Sequence, residues 1–211
     1  MVDAPDLKSV DRMIVGSSPS RPIGNFTMQS NLLFPNHFYW HFKAPNADEL
    51  IATLEKETTN IDNSQFEWSD LCDVDKIPLS WDNYIDLLSP SLQFLSQHIG
   101  KNFQVNVGDP WVNLYKPGYF QESHDHPGVD LVCVFFVNSG QDFSRFYFAD
   151  RNAITIPISM VDLLGLKSYH FVDYKGGDIL FFPAQMMHGV TKHKSEIVRK
   201  SFSCNLKLTP L

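Results

Sequence analysis

The feature that most constrains the fold is a change of hydrophobic period near Asn102. Before it, apolar residues recur at helical spacing. In Asn46–Lys56, Leu50, Ile51 and Leu54 form one stripe, Asn46 is placed to cap the helix, and Asp48 and Glu49 suit its N-terminal dipole. A second helical region is predicted from about Trp81 to His98, with Leu87, Leu88, Leu92, Leu95 and Ile99 in register and a break at Ser89-Pro90. The stretch from Thr58 to Pro78 is polar and reads as irregular. After Asn102 the chain alternates. Short strands are predicted over Phe103–Val107, Pro110–Tyr115, Val129–Val137, Phe143–Phe148, Ala153–Ile158, Tyr169–Val172, Asp178–Phe182 and Val198–Leu208, with Gly, Pro, Asn and Asp in the gaps. Many short strands at such spacing make a sandwich or a barrel.

Composition bears on this in a few places. The 17 Phe and 7 Tyr favour strands packed face to face. A chain of 211 residues buries roughly 70% of its unfolded surface, so it needs no staples. The three cysteines, Cys72, Cys133 and Cys204, are odd in number and unevenly spaced, which suits free thiols in a reducing compartment, serving as small buried hydrophobes. A net charge of −7 argues against a general nucleic-acid footprint, though Lys192, Lys194, Arg199 and Lys200 form a local basic patch. No apolar run reaches membrane-spanning length, and Asp3, Asp6, Lys8 and Asp11 do not suit a signal peptide. The expectation is a soluble cytoplasmic protein, with a loosely structured segment over residues 1–30 and one domain over 31–211 supported by helices at about 46–99.

Chemistry concentrates in Tyr115–Gly128. His124 and His126 stand two apart in a stretch that reads as extended, so their imidazoles share a face while Asp125 points away. Two histidines on one face can grip a metal ion, and a third ligand must come from a distant part of the chain. The best distant candidate is His188, following Phe182-Pro183. Glu122 and Asp130 have the parity of the histidines but fit no familiar register. His37 and His41 sit among aromatics and read as packing, His98 as a surface residue, and His170 and His193 have no supporting pattern. Helices first, strands after, a His pair on an early strand and a His near a late one fit an all-β core with flanking helices, a double-stranded β-helix (jelly roll, cupin-like).

Trp111-x-Asn113-x-Tyr115, Gly118, His124-x-His126-Pro127, Phe182-Pro183, His188 and Arg199-x-Ser201-x-Ser203-x-Asn205 together resemble the iron(II)/2-oxoglutarate dioxygenase signature. The similarity is greatest to the small 2-oxoglutarate/iron(II) oxygenases with a His-x-His-Pro motif, many of them phage-encoded. It runs in order from Pro110 to Asn205. One position departs from the common pattern. Prolyl-hydroxylase-like members end the first motif in His-x-Asp, giving two histidines and a carboxylate, whereas here His126 occupies the carboxylate position.

The resemblance implies an Fe(II) centre on His124, His126 and His188, a neutral ligand set that leaves the ion its full charge. It implies that Arg199 pairs with the far carboxylate of 2-oxoglutarate through a planar fork, with Ser201, Asn113, Tyr115 and Asn205 as further co-substrate contacts. The implied reaction is hydroxylation of a substrate by dioxygen, coupled to oxidative decarboxylation of 2-oxoglutarate to succinate. Phe135, Tyr147 and Phe182 would shield such a site, or be plain core. The substrate is a peptide side chain, a nucleobase or a small metabolite, with duplex nucleic acid and membrane disfavoured. Two other classes fit the same residues: a cupin-type three-histidine metalloenzyme that does not use 2-oxoglutarate, and a non-catalytic jelly roll serving binding or assembly.

Overall fold

The structure is a computed structural model that describes residues 37–59, 72–79, 84–108, 110–151 and 157–211. The expected loose segment 1–30 lies outside the described residues. Eleven strands and three helices are formed among those that are described. In chain order these are β1 (Trp40–Lys43), α1 (Ala47–Thr59), β2 (Asp75–Pro78), α2 (Tyr84–Ile99), β3 (Phe103–Val107), β4 (Trp111–Tyr115) and β5 (Gln121–His124). Then come β6 (Leu131–Phe136), β7 (Phe146–Ala149), α3 (Ile158–Leu164), β8 (Tyr169–Phe171), β9 (Asp178–Pro183), β10 (His188–Val190) and β11 (Arg199–Pro210).

The last eight strands divide between two antiparallel sheets, alternating except that β7 and β8 both join the smaller one. β4, β11, β6 and β9 are neighbours in the larger sheet, which β1 and β2 extend at its two ends and in which β3 also pairs with β11. The smaller sheet has the order β5-β10-β7-β8. This is the double-stranded β-helix. The chain crosses from β4 to β5 through a turn at Gly118, whose φ of 92° is a conformation that residues with a Cβ rarely adopt, and whose N–H donates to the His193 carbonyl at 2.9 Å.

Two cores result. Leu50 and Leu54 of α1 with Tyr84, Leu88 and Leu95 of α2 cover one face of the larger sheet, where they meet Val112, Cys133, Phe135, Phe181, Phe202 and Cys204. Tyr115, Val132, Val134, Phe136, Phe146, Phe148, Leu180 and Phe182 fill a second core together with Cys72 and Val74. Alternate residues of β6 and β9 go to the two cores, as period-2 patterning requires. All three cysteines are buried, and Cys133 and Cys204 are free thiols. No helix among the described residues is long and apolar enough to cross a membrane.

Several expectations need correction. α2 runs through Pro90 without a break; burial of Leu88, Ser91 and Leu95 on either side of it holds both halves to the sheet. Asn46 does not cap α1 in the usual way. Its amide nitrogen reaches the Leu87 carbonyl at 3.0 Å, tying α1 to α2, and its Oδ1 has no partner. Asp75–Pro78 is a strand rather than irregular chain. Of the strand expected over 153–158, residues 153–156 lie outside the described residues, and Ile158 opens the helix α3.

Candidate metal centre

In the smaller sheet β5 and β10 are antiparallel neighbours, with His188 directly opposite His124. Phe148 of β7 stands on the other side of His188. The register shifts just after the histidines, so that Val190 opposes Gln121. His126 lies two residues beyond β5, where its backbone N–H donates to the Ala184 carbonyl at 2.9 Å and anchors the loop to the end of β9. Ring centroids are 4.3 Å apart for His124–His188 and 5.1 Å for each of the other two pairs. One ligand nitrogen from each ring lies within 4.8 Å of the others, the geometry of a metal-binding group.

Two of the tautomers are fixed by backbone. Nδ1 of His124 lies 2.9 Å from the Glu122 carbonyl, and Nδ1 of His188 lies 2.9 Å from the Met186 carbonyl. A carbonyl only accepts, so each Nδ1 carries the proton and each Nε2 keeps a lone pair. His126 is held differently. Its ring stacks on Trp111 at 6.2 Å and 11°, with the Asn205 side chain beside it. Burial is the main cause that pushes all three imidazoles below their ordinary pKa, His124 to about 4 and His188 well down. All three are therefore neutral at pH 7, the form that binds metal.

No carboxylate lines this pocket among the described residues. Asp125 is ion-paired with Arg151, Asp130 accepts from the Leu208 N–H at 2.7 Å, and Glu122 lies along a trough that Tyr147, Tyr169 and Phe171 also line. The remaining histidines stay apart from the group. His41 pairs with Asp178 and His170 with Tyr39, while the buried His193 is satisfied by the Ser144 N–H and the Ile197 carbonyl.

Arg199 opens β11 opposite Tyr115 and has no exposed surface. Its Nε donates to the Tyr174 hydroxyl at 2.7 Å, and Tyr174 in turn donates to the Ser144 carbonyl at 3.0 Å while stacking on Phe136 at 3.7 Å. The guanidinium lies 4.7 Å from the Tyr115 ring centroid. Both terminal nitrogens are buried without a partner. A buried cation with four unused N–H donors is costly, and an anion that takes two of them in parallel relieves that cost.

Arg199, Ser201, Asn113 and Tyr115 line the same pocket as the three histidines; Asn205 does not. Asn113 is committed at both ends, accepting from Trp111 Nε1 at 3.0 Å and donating to Ser203 Oγ at 3.1 Å. The Tyr115 hydroxyl donates to Gln121 at 2.6 Å, and burial raises its pKa. Gln121, Ser203 and Tyr174 complete the site. Gln121 and Tyr174 had no sequence signal, because a glutamine three residues before a histidine and a tyrosine in a loop belong to no recognisable spacing. Of the aromatics expected to shield the centre, only Phe182 does so, at 4.7 Å from the His188 ring. Phe135 is in the core beneath the helices and Tyr147 lies over Gly189, while Phe146 packs on His188 at 5.6 Å.

Residues 109–205 match the model of a family described as "Putative 2OG-Fe(II) oxygenase". No curated protein matches the chain in sequence. Among solved structures, a 2OG-Fe(II) oxygenase family protein from Burkholderia pseudomallei superposes with a TM-score of 0.59 at 12% identity, covering 80% of this chain and 84% of that one. A Pseudomonas putida prolyl-4-hydroxylase gives 0.57 at 15% identity over 81% and 92%. HygX from Streptomyces hygroscopicus, solved with nickel and 2-oxoglutarate bound, gives 0.58 at 12% identity over 82% and 83%. These structures share the jelly-roll fold, and the matched segment holds the whole candidate centre from Trp111 to Asn205. That segment, a little under half of the chain, is where its likeness to the 2OG-Fe(II) oxygenases lies.

Proposed function

We propose that His124, His126 and His188 hold Fe(II), that Arg199 holds the far carboxylate of 2-oxoglutarate, and that the enzyme hydroxylates its substrate while 2-oxoglutarate is converted to succinate. The observation that carries this reading is the pairing of three neutral imidazoles with one buried, unpartnered guanidinium in a single pocket. Both halves of the donor set fit. The imidazoles offer lone pairs at neutral pH, and the guanidinium offers a planar fork in the same pocket.

Bound iron with its co-substrate supplies the activation of dioxygen. The chain's own residues do the rest. Glu122 and Met186 carbonyls keep the His124 and His188 rings turned to the pocket. Asn205, whose Oδ1 is buried beside the His126 ring, is the natural acceptor for that ring's N–H. Tyr174 fixes the guanidinium plane by accepting from Nε, and Ser201 adds a hydroxyl beside it. Val132, Val134, Phe146 and Val190 exclude water from the remaining walls. The test is anaerobic titration of the Fe(II)-loaded protein with 2-oxoglutarate, followed by succinate release on admitting air. Protein that binds iron but not 2-oxoglutarate would instead belong with the three-histidine cupin chemistry.

A further inference from the structure

Lys76 is the second cation that the fold directs toward this centre. In the β2–β4 pair it stands opposite Asn113, and residues directly opposed in an antiparallel pair share a face. Asn113 lines the metal pocket. The residues around Lys76 in and just before β2 agree with that placement. Val74 and Cys72, at even offsets, belong to the core that holds Tyr115 and Phe182, whereas Ile77 packs in the core beneath the helices. The ammonium lies 5.6 Å from the centroid of Trp111, the ring that stacks on His126. Burial lowers the Lys76 pKa, and its charge adds to the depression of all three histidines.

The charges in the pocket do not balance with the co-substrate alone. Among the described residues, Arg199 is the one charged side chain that lines it, and no carboxylate does so. A divalent ion on three neutral imidazoles, with Arg199, brings three positive charges, of which 2-oxoglutarate offsets two. One remains. Uncompensated charge in a poorly solvated site is costly, and a ligand that brings the opposite charge relieves it.

Resting on the oxygenase reading above, we infer that the substrate carries an oxyanion, a carboxylate or a phosphate ester, which docks beside Lys76 at the Trp111 edge of the metal pocket. Lys76 is then a specificity determinant, and the uncharged ligand set is what leaves room for that extra negative charge. Substrates of matching shape but no charge are discriminated against.

The experiment uses the whole protein loaded with Fe(II) and 2-oxoglutarate without oxygen, titrated calorimetrically with acetate, inorganic phosphate and neutral acetamide. Wild type should bind acetate or phosphate and not acetamide, and the stronger of the two names the source of the oxyanion. Lys76→Met should weaken that binding by at least about tenfold, while Lys76→Arg keeps it within about threefold. The affinity for 2-oxoglutarate, measured first on each protein, reports on the fold and on the underlying reading. Wild type that fails to bind 2-oxoglutarate overturns the oxygenase assignment and this inference with it. Normal 2-oxoglutarate binding with no oxyanion affinity, with equal affinity for acetamide, or with Lys76→Met equal to wild type overturns this inference alone.

Discussion

His188 stands directly across the antiparallel pair from His124, and the two rings meet at a centroid distance of 4.3 Å. Directly opposed residues share a face, so both imidazoles enter the space between the sheets together. A slip of one residue would send one of them to the outside. The register irregularity that follows lies beyond the pair, between His188 and Val190, and leaves the pair itself intact. The same i−2 carbonyl contact at Glu122 and at Met186 then turns both rings alike.

That arrangement makes the ligand test specific. His124→Ala or His188→Ala should lower Fe(II) affinity by on the order of 100-fold or more, beyond the cost of losing a ligand's hydrogen-bond partner. Asp125→Ala should change it little, because that carboxylate is engaged with Arg151. His126→Asp restores the two-histidine, one-carboxylate set common in non-haem iron enzymes and should retain the metal, whereas His126→Ala should not. Equilibrium dialysis of the five variants decides the matter. Retention of iron by His126→Ala together with loss in Asp125→Ala would remove His126 from the ligand set.

The Arg199–Tyr174 contact gives a graded test of the co-substrate anchor. Arg199→Ala leaves a buried carboxylate without its partner, at a cost of roughly 3–5 kcal/mol, or about two to three and a half powers of ten in 2-oxoglutarate affinity. Arg199→Lys should fall between, since the charge survives and the fork does not. Tyr174→Phe keeps the cation but strands its Nε, and should cost on the order of tenfold. Anaerobic titrations measure all three, with Fe(II) affinity as the control. Lys200 and Lys207 are poor substitutes for this anchor. Lys200 is ion-paired with Glu55 at 2.7 Å, and Lys207 reaches the Gly128 carbonyl.

Most of the fold was legible because two-sided burial writes itself into alternation. β3 lies where the alternating residues Phe103–Val107 put it, and β9 and β11 fall within two residues of expectation. β2 was not legible, since Asp75-Lys76-Ile77-Pro78 carries a single large apolar residue and its lysine faces inward. α3 has no buried residue, so no apolar stripe against a core marks it. The metal group was legible because ligands recur at fixed spacings. The supports of the co-substrate side, Tyr174 on Arg199 and Gln121 on Tyr115, were not, because each acts through its place in space rather than through a recognisable spacing in sequence.

Acid should destabilise the metal-free protein through the histidines. In the unfolded chain they take up protons below about pH 6.5. In the folded protein burial holds them neutral further down, His124 to about 4. The unfolded state therefore binds more protons across this window, and stability falls as the pH drops from 6.5 toward 4. Urea unfolding of the apo-protein between pH 4 and 8 measures the slope. His188→Phe, which keeps a ring in the pocket without a titrating group, should flatten it. An unchanged slope in that variant would place the acid sensitivity elsewhere.

Gly189 tests how closely the metal-bearing strands are packed. It lies between His188 and Val190 in β10, with Tyr147 of β7 as its cross-strand partner. A Cβ added there would come within 2.6 Å of the Tyr147 hydroxyl oxygen and 2.9 Å of the Gln121 carbonyl oxygen. The first contact can be relieved by moving a side chain; the second belongs to the backbone of β5 and cannot be relieved without parting the strands. Gly189→Ala should therefore destabilise the protein by about 1–3 kcal/mol, the usual cost of overpacking. It should also weaken Fe(II) binding, since β5 and β10 carry His124 and His188. Tyr147→Ala in the same chain should recover part of the stability and little of the metal affinity, because the Gln121 clash persists. A double-mutant cycle with both readouts separates the two contacts. Full recovery of metal affinity in the double variant would assign the clash to the tyrosine alone, and wild-type behaviour of Gly189→Ala would mean that the spacing of these strands does not set the metal site.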